Sequence, residues 1–167
     1  MNENLGKTEF KETFGEINTP FSLVKEMISL FPTDFLFNSN NKWLDPGCGQ
    51  GNISRILYLT LRKKIESNHI LNKMLYMLEY NDKRETILKS NFENKQINFI
   101  LDNYLYYAPP HKFNAIICNP PFNFGGNIKT PTNKNQDKKR DGFNSWCDFV
   151  RKSLEILEDD GYMCFIV

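Results

Sequence analysis

Residues 44–52 read LDPGCGQGN, and the way this stretch is read decides the fold. Trp43 and Leu44 run into Asp45 and Pro46, and three glycines follow at alternate positions, Gly47, Gly49 and Gly51. Proline and glycine end a strand. Beyond them Ile53, Ile56, Leu57, Leu61 and Ile65 recur at helical spacing. The reading is a strand over 42–45, a glycine turn, and a helix over 52–66. A ligand can approach the backbone closely in such a turn, where no Cβ intervenes, and the first N–H groups of the helix point at it. Asp45, at the strand end, could accept hydrogen bonds from that ligand or could fix the turn itself.

The same alternation continues outward. Thr19 can cap a first helix, Pro20 fits its first turn, and Leu23, Val24, Met27, Ile28 and Phe31 form its apolar stripe. Strands are expected over 74–79 and 97–101, with a helix over 82–92 between them, and a fourth strand over 113–118. A helix over 145–158 buries Trp146, Phe149, Val150, Leu154 and Leu157, Gly161 breaks the chain, and 162–167 form a fifth strand. Strands alternating with helices imply an α/β fold, a mostly parallel sheet with helices on both faces. In such sheets ligands bind at the C-terminal strand ends. Two acidic residues lie there: Glu79 can take both hydroxyls of a ribose or simply end a strand in solvent, and Asp102 has the geometry to contact an adjacent base.

With 167 residues the chain is expected to form a single domain. Its 40% hydrophobic and 25% charged residues are ordinary for a globular protein, and a net charge of +1 makes any basic footprint local. No apolar run is long enough to span a bilayer, and the polar start MNENLGKTEF lacks the core of a signal peptide, so an intracellular, cytoplasmic protein with no membrane partner is expected. Cys48, Cys118, Cys147 and Cys164 have no metal or redox spacing, and reduced thiols without a metal are the expectation. Residues 1–13 read as a flexible N-terminus. Residues 125–141, with five Lys or Arg against two Asp, read as a mobile loop that could also close on phosphates.

Residues 119–122, Asn119-Pro120-Pro121-Phe122, follow the fourth strand directly. Two prolines cannot continue a ladder, so Asn119 stands at the strand's C-terminal edge and an aromatic ring follows on a stiff turn. The order of Asn18-Thr19-Pro20, Asp45-Pro46-Gly47-Cys48-Gly49, Glu79, Asp102 and Asn119-Pro120-Pro121-Phe122 resembles the S-adenosylmethionine-dependent N6-adenine DNA methyltransferases of the gamma arrangement. The resemblance runs from Phe14 to Val167. It implies a Rossmann-like class I methyltransferase fold with S-adenosylmethionine as cofactor. Thr19 and Pro20 match the segment at the methionine end, Asp45, Pro46, Gly47 and Gly49 the glycine turn, Glu79 the ribose ligand and Asp102 the adenine contact. Asn119, Pro120, Pro121 and Phe122 match the catalytic target-base site, and Asn119 also borders the cofactor. The family fold has seven strands where five are counted here, so a fold stopping after the fifth is expected. Either the chain is a fragment of a longer protein, or its apolar edge would be covered by a second subunit or by self-association.

The chemistry of such a site is simple to state. An adenine amino nitrogen is a poor nucleophile because its lone pair is delocalised into the ring. The side-chain oxygen of Asn119 and the carbonyl of Pro120 could accept its two N–H groups and localise that pair. Phe122 would stack on the base, which a duplex must flip out to deliver. No strong general base is needed if the proton leaves after transfer. The same motif also serves methyltransferases of RNA adenine, of guanine N2 in ribosomal RNA and of protein glutamine. The entry segment over 15–20 resembles the restriction–modification enzymes, so DNA is expected ahead of RNA or protein. A non-catalytic scaffold of this fold and a nucleotide-dependent oxidoreductase remain as readings of other classes.

Overall fold

The computed structural model describes residues 18–92, 95–121 and 145–167. Its middle layer is a sheet of β1 (Trp43–Pro46), β2 (Leu75–Glu79), β3 (Asn98–Leu101), β4 (Phe113–Cys118) and β5 (Leu157–Phe165). The spatial order is β3-β2-β1-β4-β5, and every neighbouring pair is parallel. The helices are α1 (Phe21–Ser29), α2 (Thr33–Leu36), α3 (Asn52–Leu61), α4 (Ser67–His69), α5 (Arg84–Asn91) and α6 (Ser145–Ile156), and α4 widens into a π-turn over Ile70–Met74.

Both faces are covered, which is why the strands read as near-continuous apolar runs. Alternation along each strand divides them. Trp43, Leu75, Met77, Ala115 and Ile117 pack with Val24 and Met27 of α1, Leu57 and Leu61 of α3 and Leu88 of α5. Leu44, Leu78, Ile116 and Cys118 pack on the other side against Tyr104 and against Phe149 and Ile156 of α6. From β1 the chain winds outward through β2 to β3, then returns across β1 to β4 and β5. The order therefore reverses between β1 and β4, and their C-terminal ends open a crevice. Open sheets bind ligands at such a reversal.

Several boundaries differ from the sequence expectation. The helix expected over 52–66 stops at Leu61, and α4 with its π-turn carries the chain into β2, burying Ile70, Leu71 and Met74 completely. The helix expected over 82–92 starts at Arg84, and β3 starts at Asn98 rather than at 97. The break expected at Gly161 is a bulge inside a longer strand, because Phe113 pairs with Leu157 while Ala115 already pairs with Tyr162. Thr19 does not cap α1: Pro20 occupies the cap position and no side chain caps the helix. The four-residue α2 is too short to leave a periodic signal in the sequence.

Gly51 is the cap residue of α3, with φ of 81°. A Cβ there would lie 2.6 Å from Cδ2 of Leu88, so α5 packs directly on the turn. Gly51→Ala is expected to lower stability by about 2–4 kcal/mol, from the left-handed backbone and the overlap together. Thermal unfolding followed by circular dichroism measures this, and a double-mutant cycle of Gly51→Ala with Leu88→Ala separates the overlap share from the backbone share and from the cavity that Leu88→Ala itself leaves.

Candidate active site

Gly51, as cap residue of α3, has no side chain to satisfy the first N–H groups of the helix. Asp45 does it from the end of β1. Its Oδ2 accepts the backbone N–H of Ser54 at 3.1 Å and the Ser54 hydroxyl at 2.6 Å. Asp45 is 1% exposed, and burial pushes its carboxyl up to about 7 against the lowering effect of both Ser54 contacts, with the charge of Glu79 adding to the rise. Of the two roles open to Asp45, fixing the turn is the one its contacts carry. Ser54 itself left no sequence signal beyond its place in the first turn.

The turn is tied down from other elements as well. Gly47 and Cys48 donate their N–H groups to the Leu78 carbonyl of β2, at 2.8 and 3.0 Å. Asn91, at the end of α5, donates its Nδ2–H to the Gln50 carbonyl at 2.8 Å. Gly47, Gly49 and Gly51 all have positive φ, as a chain that folds back on itself between strand and helix requires. Glu79, the last residue of β2, reaches over the turn: its Oε2 accepts the N–H of Gly49 at 2.8 Å, and its Oε1 accepts those of Tyr80 and Asn81 at 2.9 and 3.0 Å. The carboxylate is thereby aimed before any ligand arrives.

The turn and the end of β2 border a cavity of about 120 Å³ at the reversal point. Thr19, Asp45, Gly47, Gly49, Glu79, Asp102, Asn119, Pro120 and Pro121 all belong to its wall. Pro20 and Pro46 stand outside it. The Pro46 carbonyl accepts the thiol of Cys118 at 2.9 Å, and the Pro20 carbonyl accepts the N–H of Val24 at 3.1 Å. Phe122 and the basic stretch over 125–141 lie outside the described residues. Asp102 accepts its neighbour's N–H, from Asn103, at 2.7 Å. Asn119 follows β4 directly, and its Nδ2–H donates to the Thr19 hydroxyl at 3.0 Å. Thr19 in turn accepts the side chain of Asn52 on its carbonyl at 2.9 Å.

Sequence reading missed Asn52, Ser54 and Asn91, because single polar side chains in helices carry no pattern. It also missed Tyr104, and it read Phe149 only as a buried residue of its helix; both close the cavity from the α6 side. Their rings lie 4.9 Å apart, and the Tyr104 hydroxyl meets Ser153 at 2.6 Å, with burial raising the phenol above its ordinary range. All four cysteines are free thiols. Burial raises those of Cys48 and Cys118 well above the usual range, which favours the neutral thiol at both. Among the described residues no group of three His, Cys, Asp or Glu could hold a metal ion, and no helix is long and apolar enough to cross a membrane.

A family model described as Eco57I restriction-modification methylase matches residues 22–167. The chain belongs to that family. It is 30% identical over 172 residues to the Type II methyltransferase M.AccI of Acinetobacter calcoaceticus, an alignment covering 95% of this chain and 28% of that protein. The tRNA1(Val) (adenine(37)-N6)-methyltransferase of Aliivibrio salmonicida is 33% identical over 79 residues, 47% of this chain and 32% of that protein. The chain thus spans less than a third of the length of either relative. Among solved structures, the M protein of the type I restriction enzyme EcoKI matches 91% of this chain and 34% of its own, at 17% identity and a TM-score of 0.64. TrmN from Thermus thermophilus matches 93% of this chain and 40% of its own, at 17% identity and a TM-score of 0.60. The expected Rossmann-like class I methyltransferase fold is the observed one, and the family is a methylase family.

In this Eco57I-family chain the buried Asp45 makes stability depend on pH in an unusual direction. Its carboxyl titrates near 4 when unfolded and near 7 when folded. The folded state therefore favours the protonated group: its contribution is complete below pH 4 and is lost as pH rises toward 7 and beyond. The lost amount is of order 4 kcal/mol. Asp45→Asn keeps an acceptor for Ser54 and removes the charge. Urea unfolding from pH 5 to 8 should show the variant gaining on the parent protein as pH rises, and a constant difference between them would refute the assignment.

Proposed function

We propose that this chain carries the cofactor-binding and catalytic part of an S-adenosylmethionine-dependent methyltransferase that modifies the exocyclic N6 amine of adenine in DNA. The observation that carries the reading is the position of Asn119, at the C-terminal end of β4 on the reversal point, in one cavity with Glu79 and Asp102. Family membership supports it. M.AccI is a Type II methyltransferase by name, and the EcoKI M protein belongs to a restriction enzyme.

The residues present fit that cofactor. Among the described residues the cavity wall carries the acidic side chains of Asp45, Glu79 and Asp102 and one basic side chain, Arg84, a balance suited to a ligand bearing a sulfonium and an ammonium group. S-adenosylmethionine supplies an electrophilic methyl group when bound. Glu79 would take the ribose hydroxyls with a carboxylate already oriented by three N–H donors, and Asp102 would meet the adenine moiety. The backbone of Gly47 and Gly49 would lie under the nucleoside, and the chain at Thr19 and Pro20 would flank the methionine end. Pro46 would shape the turn rather than touch the ligand.

At the target, the Asn119 side-chain oxygen and the Pro120 carbonyl would accept the two N–H groups of the amine. Holding the amine in line supplies several kcal/mol of the barrier by proximity. Phe122 would stack on the flipped base, and the Lys and Arg residues over 125–141 would meet its phosphates. The outer edge of β5, the end of the sheet among the described residues, is where a second subunit or a second copy would pair. Adenine in RNA is the second reading, favoured by the similarity to the tRNA1(Val) methyltransferase.

The test is transfer of a labelled methyl group, with DNA, RNA and a protein extract offered in parallel and the product identified after digestion. N6-methyladenine in DNA is the expected product. Label in RNA or protein would move the substrate, and absence of label with intact cofactor binding would favour a scaffold. Asn119→Ala is expected to leave cofactor affinity in place and to slow transfer by about 100-fold or more, since it removes one acceptor at the reacting nitrogen. Full turnover by that variant would exclude the role.

A further inference from the structure

Between Asp45 and Glu66 the sequence holds no carboxylate, yet it holds Arg55, Arg62, Lys63 and Lys64, in a chain whose net charge is only +1. All four are exposed, on α3 and the turn that follows it. Arg55 and Arg62 are two helical turns apart, so they share one face with about 10 Å between them along the axis. Elsewhere among the described residues, cations stand beside carboxylates: Lys89 at Glu85, Lys112 at Asp159, Arg151 at Asp148 and Lys152 at Glu155. Among the described residues the four cations of the α3 strip have no carboxylate partner. Three of them rest on rings instead. The Arg55 guanidinium lies 6.0 Å from the centroid of Phe21, that of Arg62 5.5 Å from Tyr58, and the Lys64 ammonium 4.6 Å from Phe37. Glu66, where acid returns, has a carboxylate oxygen that accepts the N–H of His69 at 2.8 Å.

A ring holds a cation in place without neutralising it, because the ring carries no net charge. The strip therefore keeps its positive field while its side chains are partly ordered. It begins at the crevice, where Asn52 and Ile53 of α3 are wall residues and Arg55 stands in the same first turn. From there it runs away along the helix. Protein interfaces deplete lysine and keep charge out of their centres. A helix lying on a membrane sets its cations beside an apolar face, and on α3 the exposed large apolar side chain is Leu59 alone. Interfaces with nucleic acid are strongly positive. Resting on the reading of DNA as substrate, we propose that the outer face of α3 is a phosphate-binding strip that takes the DNA backbone where the duplex leaves the crevice. The strip is separate in sequence from the basic stretch over 125–141. It adds affinity and orientation and makes no choice of base, since phosphates carry no sequence information.

The test is affinity for DNA as a function of salt, read by fluorescence anisotropy on the full chain without cofactor, with a labelled duplex of about 40 base pairs. Combining Arg55→Gln, Arg62→Gln, Lys63→Gln and Lys64→Gln is expected to weaken binding about tenfold or more. The slope of log affinity against log salt should flatten by about 2–4. Should that variant fail to fold, Arg62→Gln with Lys63→Gln should give about half the change in slope. Arg55→Lys with Arg62→Lys keeps the charge and should keep the parent slope. The combination Lys89→Gln, Lys112→Gln, Arg151→Gln and Lys152→Gln removes the same net charge from cations that already have partners, and should flatten the slope by less than about 1. Equal flattening in the two fourfold variants would reduce the effect to net charge and overturn the proposal. An unchanged slope in the strip variant, or no DNA binding by the parent protein, would overturn it too. So would a strip dependence seen only with an RNA duplex of the same sequence or with vesicles of anionic lipid. If the parent protein methylates no polymer while the slopes on DNA differ as expected, the functional reading fails and the strip stands.

Discussion

Asp45 joins the end of β1 to the first turn of α3 through two hydrogen bonds from Ser54, in a place almost without water. Much of the site hangs on that junction. A glycine is needed at the head of α3, because Gly51 has a left-handed backbone and touches α5. A glycine cannot cap a helix with a side chain, so the cap comes from six residues earlier. The carboxylate is also favourably placed near the positive end of the helix. Its cost is the desolvation that lifts its pKa, and a cationic ligand in the same cavity would offset part of it.

Around this junction the crevice is assembled by contacts between elements distant in sequence. Glu79 reaches from β2 to Gly49, Asn91 from α5 to Gln50, Asn52 from α3 to Thr19, and Asn119 from β4 to the same threonine. Each bond satisfies a polar group that would otherwise be costly beside a buried sheet end. The result is a set of acceptors and donors held in place by the fold itself. Two of these contacts share one residue, Thr19, through its carbonyl and through its hydroxyl.

The layered architecture was legible from alternation alone. Near-continuous apolar runs marked Phe113–Cys118 and Leu75–Glu79, and apolar residues at helical spacing marked α1, α3 and α6, although Leu154, expected on the buried face of α6, is exposed. Those signals are strong because burial on both faces leaves little choice of residue type. Boundaries were less legible: Gly161 signals a break, yet the sheet absorbs it as a bulge in β5, since pairing with β4 resumes at Tyr162. The cap at Thr19 was likewise a sound local reading that a long-range contact displaced.

By itself the sequence determined the alternation of strands and helices, the glycine turn and the strand end at Asn119, because these follow from backbone chemistry at neighbouring positions. It also determined which residues could serve as acceptors and carboxylates. Only the tertiary structure decided what those groups do: that Asp45 caps a helix, that Glu79 is aimed by the turn, and that Thr19 turns toward Asn119 rather than its own helix. The physical reason is that a polar side chain has several partners of similar energy nearby, and the packing of distant elements decides which of them it meets.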